Sequence, residues 1–461
     1  MVVGRFLTVL AVTLWFGLGT SIAVAGAPTP FAPAAAADLI LFRNATLIDG
    51  TGAAARPAMS VLIEGERIRS IVPNAALDLA LVGKARVIDL HGRYLLPGLI
   101  DSHVHLATPP NRRQAEALLR RNLYGGVTAV RDMADDLRAV ADLARASRVG
   151  EIAAPDIFYA ALMAGPEFFT DPRTIQVSAG AVAGEVPWMQ AITDQTDLPL
   201  AVALSRGTFA SAIKLYAQLD GDLAARITAE AHRQHILVWS HATLYPAKPS
   251  EVVAAGVDSI SHACLLVRES PERVPKFSEP RPPAQLDAFR RGDNPDLAKL
   301  FTTMVQRGTI LDATIRTYAI GALTPGAPPS TPGSCDDQVG GAITGQAYRA
   351  GVPISAGTDY VLPASERWPE LFLELDALAA RAGIPVDSLL QSATLISARA
   401  AGVSADMGSI EPGKLANLIV LTRNPLEGLE NLKTLVMTVK RGRIYDRRAF
   451  RPLARGDIVD F

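Results

Sequence analysis

Apolar runs of strand length recur along the chain, and the segments between several of them carry apolar residues at helical spacing. Such alternation is typical of a parallel β–α architecture. The pattern predicts helices at 113–122, 137–147, 223–234 and 249–255. It predicts eight strands, the first beginning at residue 99 and the others at 127–130, 156–160, 212–216, 236–239, 257–260, 309–313 and 353–356. Eight strands over this length predict an α/β fold of the (β/α)8 TIM-barrel type.

Blocks of short strands and turns flank the predicted barrel. Residues 38–94 contain the hairpin signals Asp49-Gly50 and Glu64-Gly65, and residues 406–461 contain further short apolar runs between turns. We predict that the two blocks form one small β-sandwich domain built from both ends of the chain. Residues 95–405 are then assigned to the barrel.

The first predicted barrel strand ends in His103-Val104-His105. Residues i and i+2 of a strand project from the same face, so both imidazoles point the same way. Two convergent imidazoles are a natural start for a divalent metal site. A bare His-x-His also arises from two unrelated polar residues, so a metal site requires further ligands at later strand ends.

Four later strands end in, or contain, a side chain that can bind a metal: Lys214, His241, His262 and Asp359. Each one alone has an ordinary explanation, because a lysine can snorkel, a histidine can be hydrogen-bonded in a core and an aspartate can cap a turn. A strand lysine is costly unless it is paired or chemically altered. A neutral lysine amine can react with carbon dioxide to give a carbamate, which bridges two metals as a carboxylate would.

The stretch from Leu95 to His105, Leu-Leu-Pro-Gly-Leu-Ile-Asp-Ser-His-Val-His, resembles the opening strand of the amidohydrolase superfamily. From residue 39 to residue 446 the chain resembles the imidazolonepropionase-like and dipeptidase-like branch of that superfamily. The resemblance implies a binuclear site in which His103, His105 and Asp359 hold one metal ion, His241 and His262 hold the second, and N6-carboxylated Lys214 and a hydroxide bridge them. It also implies that Asp359 is the catalytic proton carrier. Zinc is the expected metal, because it suits imidazole and carboxylate ligands.

Two further residues are candidates for contact with substrate. Tyr216 shares a strand face with Lys214, and in related dipeptidases a tyrosine at this place contacts substrate. Arg131 ends the second predicted strand, where it either supplies a positive charge to the site or pairs with Asp132 or Asp135. His91, His232 and His235 are interpreted as structural.

Composition excludes some classes of partner. The chain has 461 residues, 49% of them hydrophobic, and a formal net charge of −1. A near-neutral balance gives no electrostatic case for binding nucleic acid or an anionic membrane, so the expected partner is a small-molecule substrate, with a homo-oligomer left open. The two cysteines, Cys264 and Cys335, do not form a disulfide framework, and the sequence does not decide whether they pair.

The first residues predict export. Residues 1–27 have a short apolar core and small residues at the cleavage spacing of a secretory signal, and residues 28–37 form a Pro/Ala-rich flexible lead-in. The apolar run is short for an uncleaved membrane anchor. We therefore predict an exported protein that is periplasmic or secreted.

These features predict a metal-dependent hydrolase of amide-type carbon–nitrogen bonds in a dipeptide, an N-acyl amino acid or a cyclic amide. A phosphotriester or lactone hydrolase with the same site is one alternative, and a non-catalytic solute-binding protein is another. Residues 268–295 and 321–341 are predicted to form loops at the rim of the barrel, where active sites lie.

Overall fold

The computed structural model describes residues 38–78, 83–319, 335–359, 363 and 365–452. The predicted signal, the lead-in and most of the predicted loop 321–341 lie outside these residues. In the described part, the strands are β1 (Leu39–Leu47), β2 (Arg56–Glu64), β3 (Arg67–Pro73), β4 (Arg86–Asp89), β5 (Tyr94–Pro97), β6 (Leu99–Val104), β7 (Val127–Asp132), β8 (Asp156–Ala164), β9 (Glu185–Val186), β10 (Met189–Ala191), β11 (Ala212–Leu215), β12 (Leu237–His241), β13 (Ser259–Ser261), β14 (Ile310–Asp312), β15 (Ile354–Ser355), β16 (Leu418–Leu421), β17 (Leu435–Lys440) and β18 (Arg443–Asp446).

The α-helices of the described residues lie mainly between the barrel strands and after the last of them. They are α1 (Arg112–Tyr124), α2 (Leu137–Arg148), α3 (Pro172–Val177), α4 (Leu198–Gly207), α5 (Gly221–Arg233), α6 (Pro249–Ala254), α7 (Pro295–Arg307), α8 (Ile315–Tyr318), α9 (Asp337–Arg349), α10 (Leu371–Ala382), α11 (Val386–Gln391) and α12 (Ser397–Ala400). None of the helices in the described ranges is both long and apolar enough to cross a membrane.

Local chemistry explains where the helices begin and end, and α7 is an example. The Asn294 side chain accepts hydrogen bonds from the backbone amides of Asp296 and Leu297, and Pro295 occupies the first turn, where it removes no needed donor. The helix ends at Gly308, whose φ of 73° is the left-handed conformation that terminates helices at little cost for glycine. Between these signals, Leu297, Leu300, Phe301 and Met304 form the buried face.

Eight parallel strands form the barrel: β6, β7, β8, β11, β12, β13, β14 and β15. Backbone hydrogen bonds from Ser102 to Ala356 and from Asp359 to His103 join the last strand region to the first. The predicted (β/α)8 architecture is therefore confirmed. Each strand end at the carboxyl side faces the same mouth, which is where barrel enzymes carry their active sites.

The remaining long strands form a separate sheet from the two chain ends. Its order is β18-β17-β16-β5-β1-β2-β3, with β4 pairing β1. This sheet has its own apolar core, which includes Phe42, Leu95 and Val420. The prediction of a small β-sandwich domain built from both chain ends is confirmed as a separate β-domain, whose strands are joined in one sheet that also includes β5. The barrel begins at Leu99 rather than at Leu95, because residues 94–97 pair with β16 instead of a barrel strand.

The segments inserted after the barrel strands at the mouth differ partly from the predicted loops in their extent and secondary structure. Residues 268–295 contain little regular structure beyond a short 3-10 turn at Leu286–Ala288. The predicted loop 321–341 is too long at its end, because α9 begins at Asp337 with Asp336 as its N-cap. Residues 166–191 follow β8 and contain α3, β9 and β10, with β10 pairing the end of β8. We refer to residues 166–191 as the strap.

Candidate metal centre

Six side chains that the sequence singled out as metal ligands lie at the carboxyl ends of five barrel strands. His103 and His105 come from the end of β6, Lys214 from β11 and His241 from the end of β12. His262 and Asp359 directly follow the β13 strand and the β15 region. All six line a single cavity of about 280 Å³ at the mouth of the barrel.

His103, His105 and Asp359 form the tightest group. The Nε2 atoms of His103 and His105 lie 3.5 Å and 3.4 Å from Asp359 Oδ1. One potential ligand atom from each of the three residues lies within 4.8 Å of the others, which is close enough for all three to bind one ion. This group combines two imidazoles and a carboxylate, a donor set suited to zinc and other divalent transition metals.

The second pair of histidines adjoins the first group. The ring centroids of His241 and His262 are 4.6 Å apart, and those of His262 and His103 are 5.0 Å apart. His262 Nδ1 lies 3.7 Å from Asp359 Oδ2, so the carboxylate of Asp359 faces both groups. This arrangement brings imidazoles from β6, β12 and β13 around one space.

Backbone conformation aims two of these side chains into the mouth. His262 has a φ of 78° and Asp359 a φ of 47°, both in the left-handed region that L-residues seldom adopt. Strained conformations of this kind persist only where the surroundings hold them, and they are concentrated at functional sites. Thr358 contributes to holding Asp359, since its backbone amide and hydroxyl both donate to the buried carboxylate of Asp101.

Lys214 lies in the barrel wall, on β11, and is 1% exposed. Its Nζ atom has no hydrogen-bond partner. Burial lowers the pKa of Lys214 to about 7. An unpartnered amine that lines the cavity together with the histidines and Asp359 is unusual, because buried polar groups are nearly always hydrogen-bonded.

Burial also favours the neutral form of three histidines. It lowers the pKa of His103, lowers that of His241 well below the ordinary value and lowers that of His262 to about 3. His105 differs, because the charge and hydrogen bond of Asp135, with further contributions from Asp359, outweigh burial and raise its pKa well above the ordinary value. Neutral imidazole is the form that binds metal ions.

Buried carboxylates orient His103 and His105, and the sequence analysis did not predict this role for them. His103 Nδ1 donates to Asp312 Oδ2 at 2.7 Å, and His105 Nδ1 donates to Asp135 Oδ1 at 2.7 Å. Each bond leaves Nε2 directed at Asp359. Orientation of metal-binding histidines by carboxylates is a general feature of metal sites. Asp312 ends β14, so the strand-end criterion that identified the other residues could have found it.

Close packing around Asp312 depends on a glycine. A Cβ atom at Gly357 would collide with the Asp312 carboxylate and with His103 Cβ. Asp312 also accepts from the hydroxyl of Ser261 at 3.0 Å and from Arg131 Nη2 at 3.3 Å. The seventh strand therefore contributes to the site through the position of His103.

The structure contradicts the expectation that Arg131 contacts substrate. Its side chain is fully buried in the barrel, and its guanidinium lies 4.6 Å from the ring centroid of Trp239. It donates to the Ser102 carbonyl at 2.6 Å and to Asp312, and it does not line the cavity. The alternative expectation, that Arg131 pairs with a carboxylate, is correct in kind but not in residue. Asp135 instead accepts from His105 and Asp132 from the Leu106 amide, and the carboxylate that pairs with Arg131 is that of Asp312.

Tyr216 does line the cavity. Its ring lies 3.9 Å from the His241 ring and is stacked on Phe168 of the strap at 4.4 Å, measured between centroids. It therefore stays a candidate for contact with substrate. The other three histidines lie apart from the cavity, and His232 Nε2 is 3.0 Å from Asp258 Oδ2 at the amino end of the barrel strands.

The residues of this site fit a divalent metal ion, which His103, His105 and Asp359 could hold. The donor set contains four imidazoles, one carboxylate and one buried amine without a partner. An uncharged buried amine can become an additional anionic ligand only by a covalent change, of which carboxylation is the simplest.

The sequence matches the model of a family described as the amidohydrolase family, over residues 94–445. The chain belongs to the amidohydrolase family. This confirms the family expected from the sequence and, with it, the expectation of a hydrolase that acts on carbon–nitrogen bonds.

Individual relatives are distant. The chain is 26% identical over 401 residues to the imidazolonepropionase of Rhizorhabdus wittichii, a match that covers 82% of this chain and 92% of that protein. It is 36% identical over 67 residues to the adenine deaminase of Rubrobacter xylanophilus, which covers 14% of this chain and only 11% of that protein.

Solved structures share the fold at low sequence identity. A Xaa-Pro dipeptidase with methionine bound in its active site superimposes with a TM-score of 0.68 at 22% identity, covering 89% of this chain and all of that one. The ochratoxinase of A. niger superimposes with a TM-score of 0.69 at 19% identity, covering 90% and 97%. These similarities support the architecture of barrel and end sheet.

Proposed function

We propose that this amidohydrolase binds two divalent metal ions, zinc by default, and hydrolyses the amide bond of a small substrate such as a dipeptide, an N-acyl amino acid or a cyclic amide. The observation that carries the proposal is that the six candidate side chains converge on one place. Side chains from five strands, far apart in sequence, line one cavity, and they are the types that a binuclear hydrolase requires: His103, His105, Lys214, His241, His262 and Asp359.

His103, His105 and Asp359 hold the first ion in this proposal, and His241 and His262 hold the second. Lys214, as its carbamate, would supply an anionic ligand to both. Support for this role comes from its Nζ atom, which is buried and has no partner among the protein atoms, and from its place in the lining of the same cavity as the four histidines and Asp359. A carbamate there would supply two oxygen atoms and remove the cost of a buried, unsatisfied amine.

Bound metal ions supply acidification of water and polarisation of a carbonyl oxygen. Asp359 accepts the proton of the attacking water, since its carboxylate faces His103, His105 and His262. It then delivers that proton to the leaving nitrogen, which an amide needs because an amine anion is a poor leaving group. Tyr216, whose ring lies beside that of His241, is our candidate for contact with the substrate during this step.

We also propose that the protein is exported to the periplasm or secreted, as residues 1–27 predict. Cys264 and Cys335 form a disulfide bond in the structure. Disulfides persist in oxidising compartments and are rare in the cytosol, so the pair supports export. Detection of residues 1–25 in the mature protein by mass spectrometry would contradict cleavage at this signal.

The experiment that tests the activity is a comparison of kcat/KM over matched amides, lactones and phosphotriesters, with the purified protein supplied with zinc. We expect an amide to be the preferred substrate and the Asp359→Asn variant to lose most of that activity. A lactone or phosphotriester preferred by orders of magnitude over every amide would contradict the proposal. Binding of these compounds without turnover of any of them would contradict the claim that the protein is an enzyme.

A further inference from the structure

We propose that the mouth of the barrel holds two adjoining chambers, an inner and an outer one, and that the substrate is an amphipathic amide, with an apolar group on one side of the scissile bond and a carboxylate on the other. The inner chamber accepts the apolar group. The outer chamber accepts the carboxylate, with Arg281 as the group that recognises it. This inference rests on the proposed amide hydrolysis and specifies its substrate.

The inner chamber is the 280 Å³ cavity, and its lining beyond the metal-site residues is mostly apolar. The strap covers it and supplies part of that lining. The apolar residues that face it are Met133, Ala134, Leu162, Phe168, Val177 and Met189. Two methionines in this set can adapt to chains of different shape, because the methionine side chain is unbranched and flexible. The volume suits a short acyl chain or an apolar amino-acid side chain.

The outer chamber is a second cavity, of about 360 Å³, that shares His241, His262 and Asp359 with the inner one. Aromatic rings line it: Phe168, Tyr216, Tyr245, Phe277 and Tyr318. Phe277 belongs to the insertion 268–295, and its ring lies 5.9 Å from that of Phe168 on the strap. A continuous aromatic wall therefore leads from the histidines to the insertion.

Arg281 lies at the outer end of this wall. Its guanidinium carbon is 4.3 Å from the ring centroid of Tyr245 and 5.5 Å from that of Phe277. Among the described residues, no carboxylate forms an ion pair with Arg281. The neighbouring backbone is held in place, since Arg268 donates to the Pro282 carbonyl at 2.9 Å. Arg281 is thus a cation that lines the chamber and has donors to spare for an anion.

Arg173 provides an internal contrast. It lines both chambers, but Asp171 occupies one edge of its guanidinium, with Nη2 2.7 Å from Asp171 Oδ2. This pair largely neutralises the charge at the boundary between the chambers. The free positive charge of the outer chamber is therefore that of Arg281, and a substrate that spans the site places its anionic end there.

The test begins with the wild-type protein and four compounds. They are N-acetylglycine and N-hexanoylglycine, each as the free carboxylate and as the neutral carboxamide. We expect the hexanoyl chain to raise kcat/KM over the acetyl group, because it fills the inner chamber. We expect loss of the carboxylate to raise KM by about tenfold, as loss of a charge-assisted hydrogen bond does. Equal values for carboxylate and carboxamide would overturn the assignment of the outer chamber, and equal values for acetyl and hexanoyl would overturn that of the inner one.

Variants then identify the residue. Arg281→Gln should raise KM for the carboxylate about tenfold and leave the carboxamide unchanged, whereas a merely structural role would affect both compounds alike. Arg273→Gln is the matched control, since Arg273 lies on the same insertion, pairs with Glu279 and lines neither chamber. An Arg281→Gln variant that keeps the full preference for the carboxylate would overturn the role of Arg281.

Failure of this inference is distinguishable from failure of the proposed function. If an amide is hydrolysed without any preference for a carboxylate, the inference alone is wrong. If no amide is hydrolysed, calorimetric titration of the zinc-loaded protein with the ketone isostere of N-hexanoylglycine, in which a methylene replaces the amide nitrogen, still tests the chambers. Binding that weakens in Arg281→Gln but not in Arg273→Gln would support the inference, and equal binding to all three proteins would overturn it.

Discussion

Two buried lysines of this chain differ in what surrounds their amino groups. Lys440, at the end of β17, is 4% exposed, and its Nζ lies 3.1 Å from Asp156 Oδ1 and 2.7 Å from the Ser147 hydroxyl. Lys214, in β11, is 1% exposed, and its Nζ has no partner. Burial lowers the pKa of both amines, because both lie in a poorly solvated environment.

This difference indicates a structural role for Lys440 and a chemical role for Lys214. Lys440 and Arg441 join the end sheet to the barrel, because both pair with Asp156 at the start of β8. An amine in such a network contributes to stability only as long as its partners remain. Lys214 makes no such contribution, so a gain in stability does not explain why its amine is buried. Its burial is consistent with the covalent change that we propose.

The largest expected effect is the loss of activity in Lys214→Met. This variant should reduce kcat/KM by more than about 100-fold, because it removes a proposed metal ligand. In the metal-free protein, its free energy of unfolding should stay the same or rise, since an apolar side chain replaces a buried amine without a partner.

Lys440→Met is the matched control for that variant. It should keep activity and lose stability, which is the reverse pattern. Chemical denaturation and steady-state kinetics on both variants check the prediction, and a Lys214→Met protein with the activity of the wild type would contradict it.

Asp156→Asn should destabilise the protein by about 3–5 kcal/mol, because it leaves Lys440 buried without a carboxylate. Activity per folded molecule should not change. Asp359→Asn should show a different pattern, with most activity lost and the barrel still folded. Urea denaturation monitored by circular dichroism measures both, and equal stability of Asp156→Asn and the wild type would show that the Lys440 network is not stabilising.

Asp312→Asn should weaken metal binding by about 10- to 100-fold without unfolding the barrel, as loss of a carboxylate behind a metal-binding histidine does. The reason is that Asp312 fixes the orientation of His103. Competition with a chelator measures the affinity. Asp142→Asn is a suitable control, because Asp142 pairs only on the surface, with Arg112 and Arg145. Unchanged affinity in Asp312→Asn would mean that the hydrogen bond does not position His103.

The smallest expected effect is a dependence of stability on pH at the Lys440 network. Lys440 and Arg441 outweigh burial and lower the pKa of Asp156 below its ordinary value of 3.8. The contribution of this carboxylate to stability is therefore present above pH 3.8 and is lost as the pH falls through the lowered pKa. The difference in unfolding free energy between wild type and Asp156→Asn should shrink below pH 3.8, and a constant difference would contradict the network's dependence on charge.

The sequence predicted the parts of this molecule that depend on local pattern. Apolar runs located the barrel strands, and the residue at the end of each run identified His241, His262 and Asp359 as candidates. These predictions work because a parallel barrel brings the carboxyl ends of all its strands to one mouth. Polar residues at the ends of different strands are therefore expected to lie in one site.

The partners of those residues depended on long-range packing that no local pattern encodes. Asp312 is 209 residues from His103 in sequence, and Lys440 is 293 residues from Ser147. The burial of Arg131 likewise could not be predicted from the sequence, because a charged residue at a strand end can face either the mouth or the interior of the barrel. The inner chamber depends on the strap, whose short elements α3, β9 and β10 lack the length that gives a clear periodicity.

The most direct test of the proposed binuclear site is the metal content of the purified protein, measured by inductively coupled plasma mass spectrometry on wild type and on Lys214→Met. We expect two divalent ions for each wild-type chain, and a clear loss from that stoichiometry in Lys214→Met while Lys440→Met keeps both. A wild-type protein that binds at most one ion, or a Lys214→Met protein that keeps two, would contradict the bridging role of Lys214.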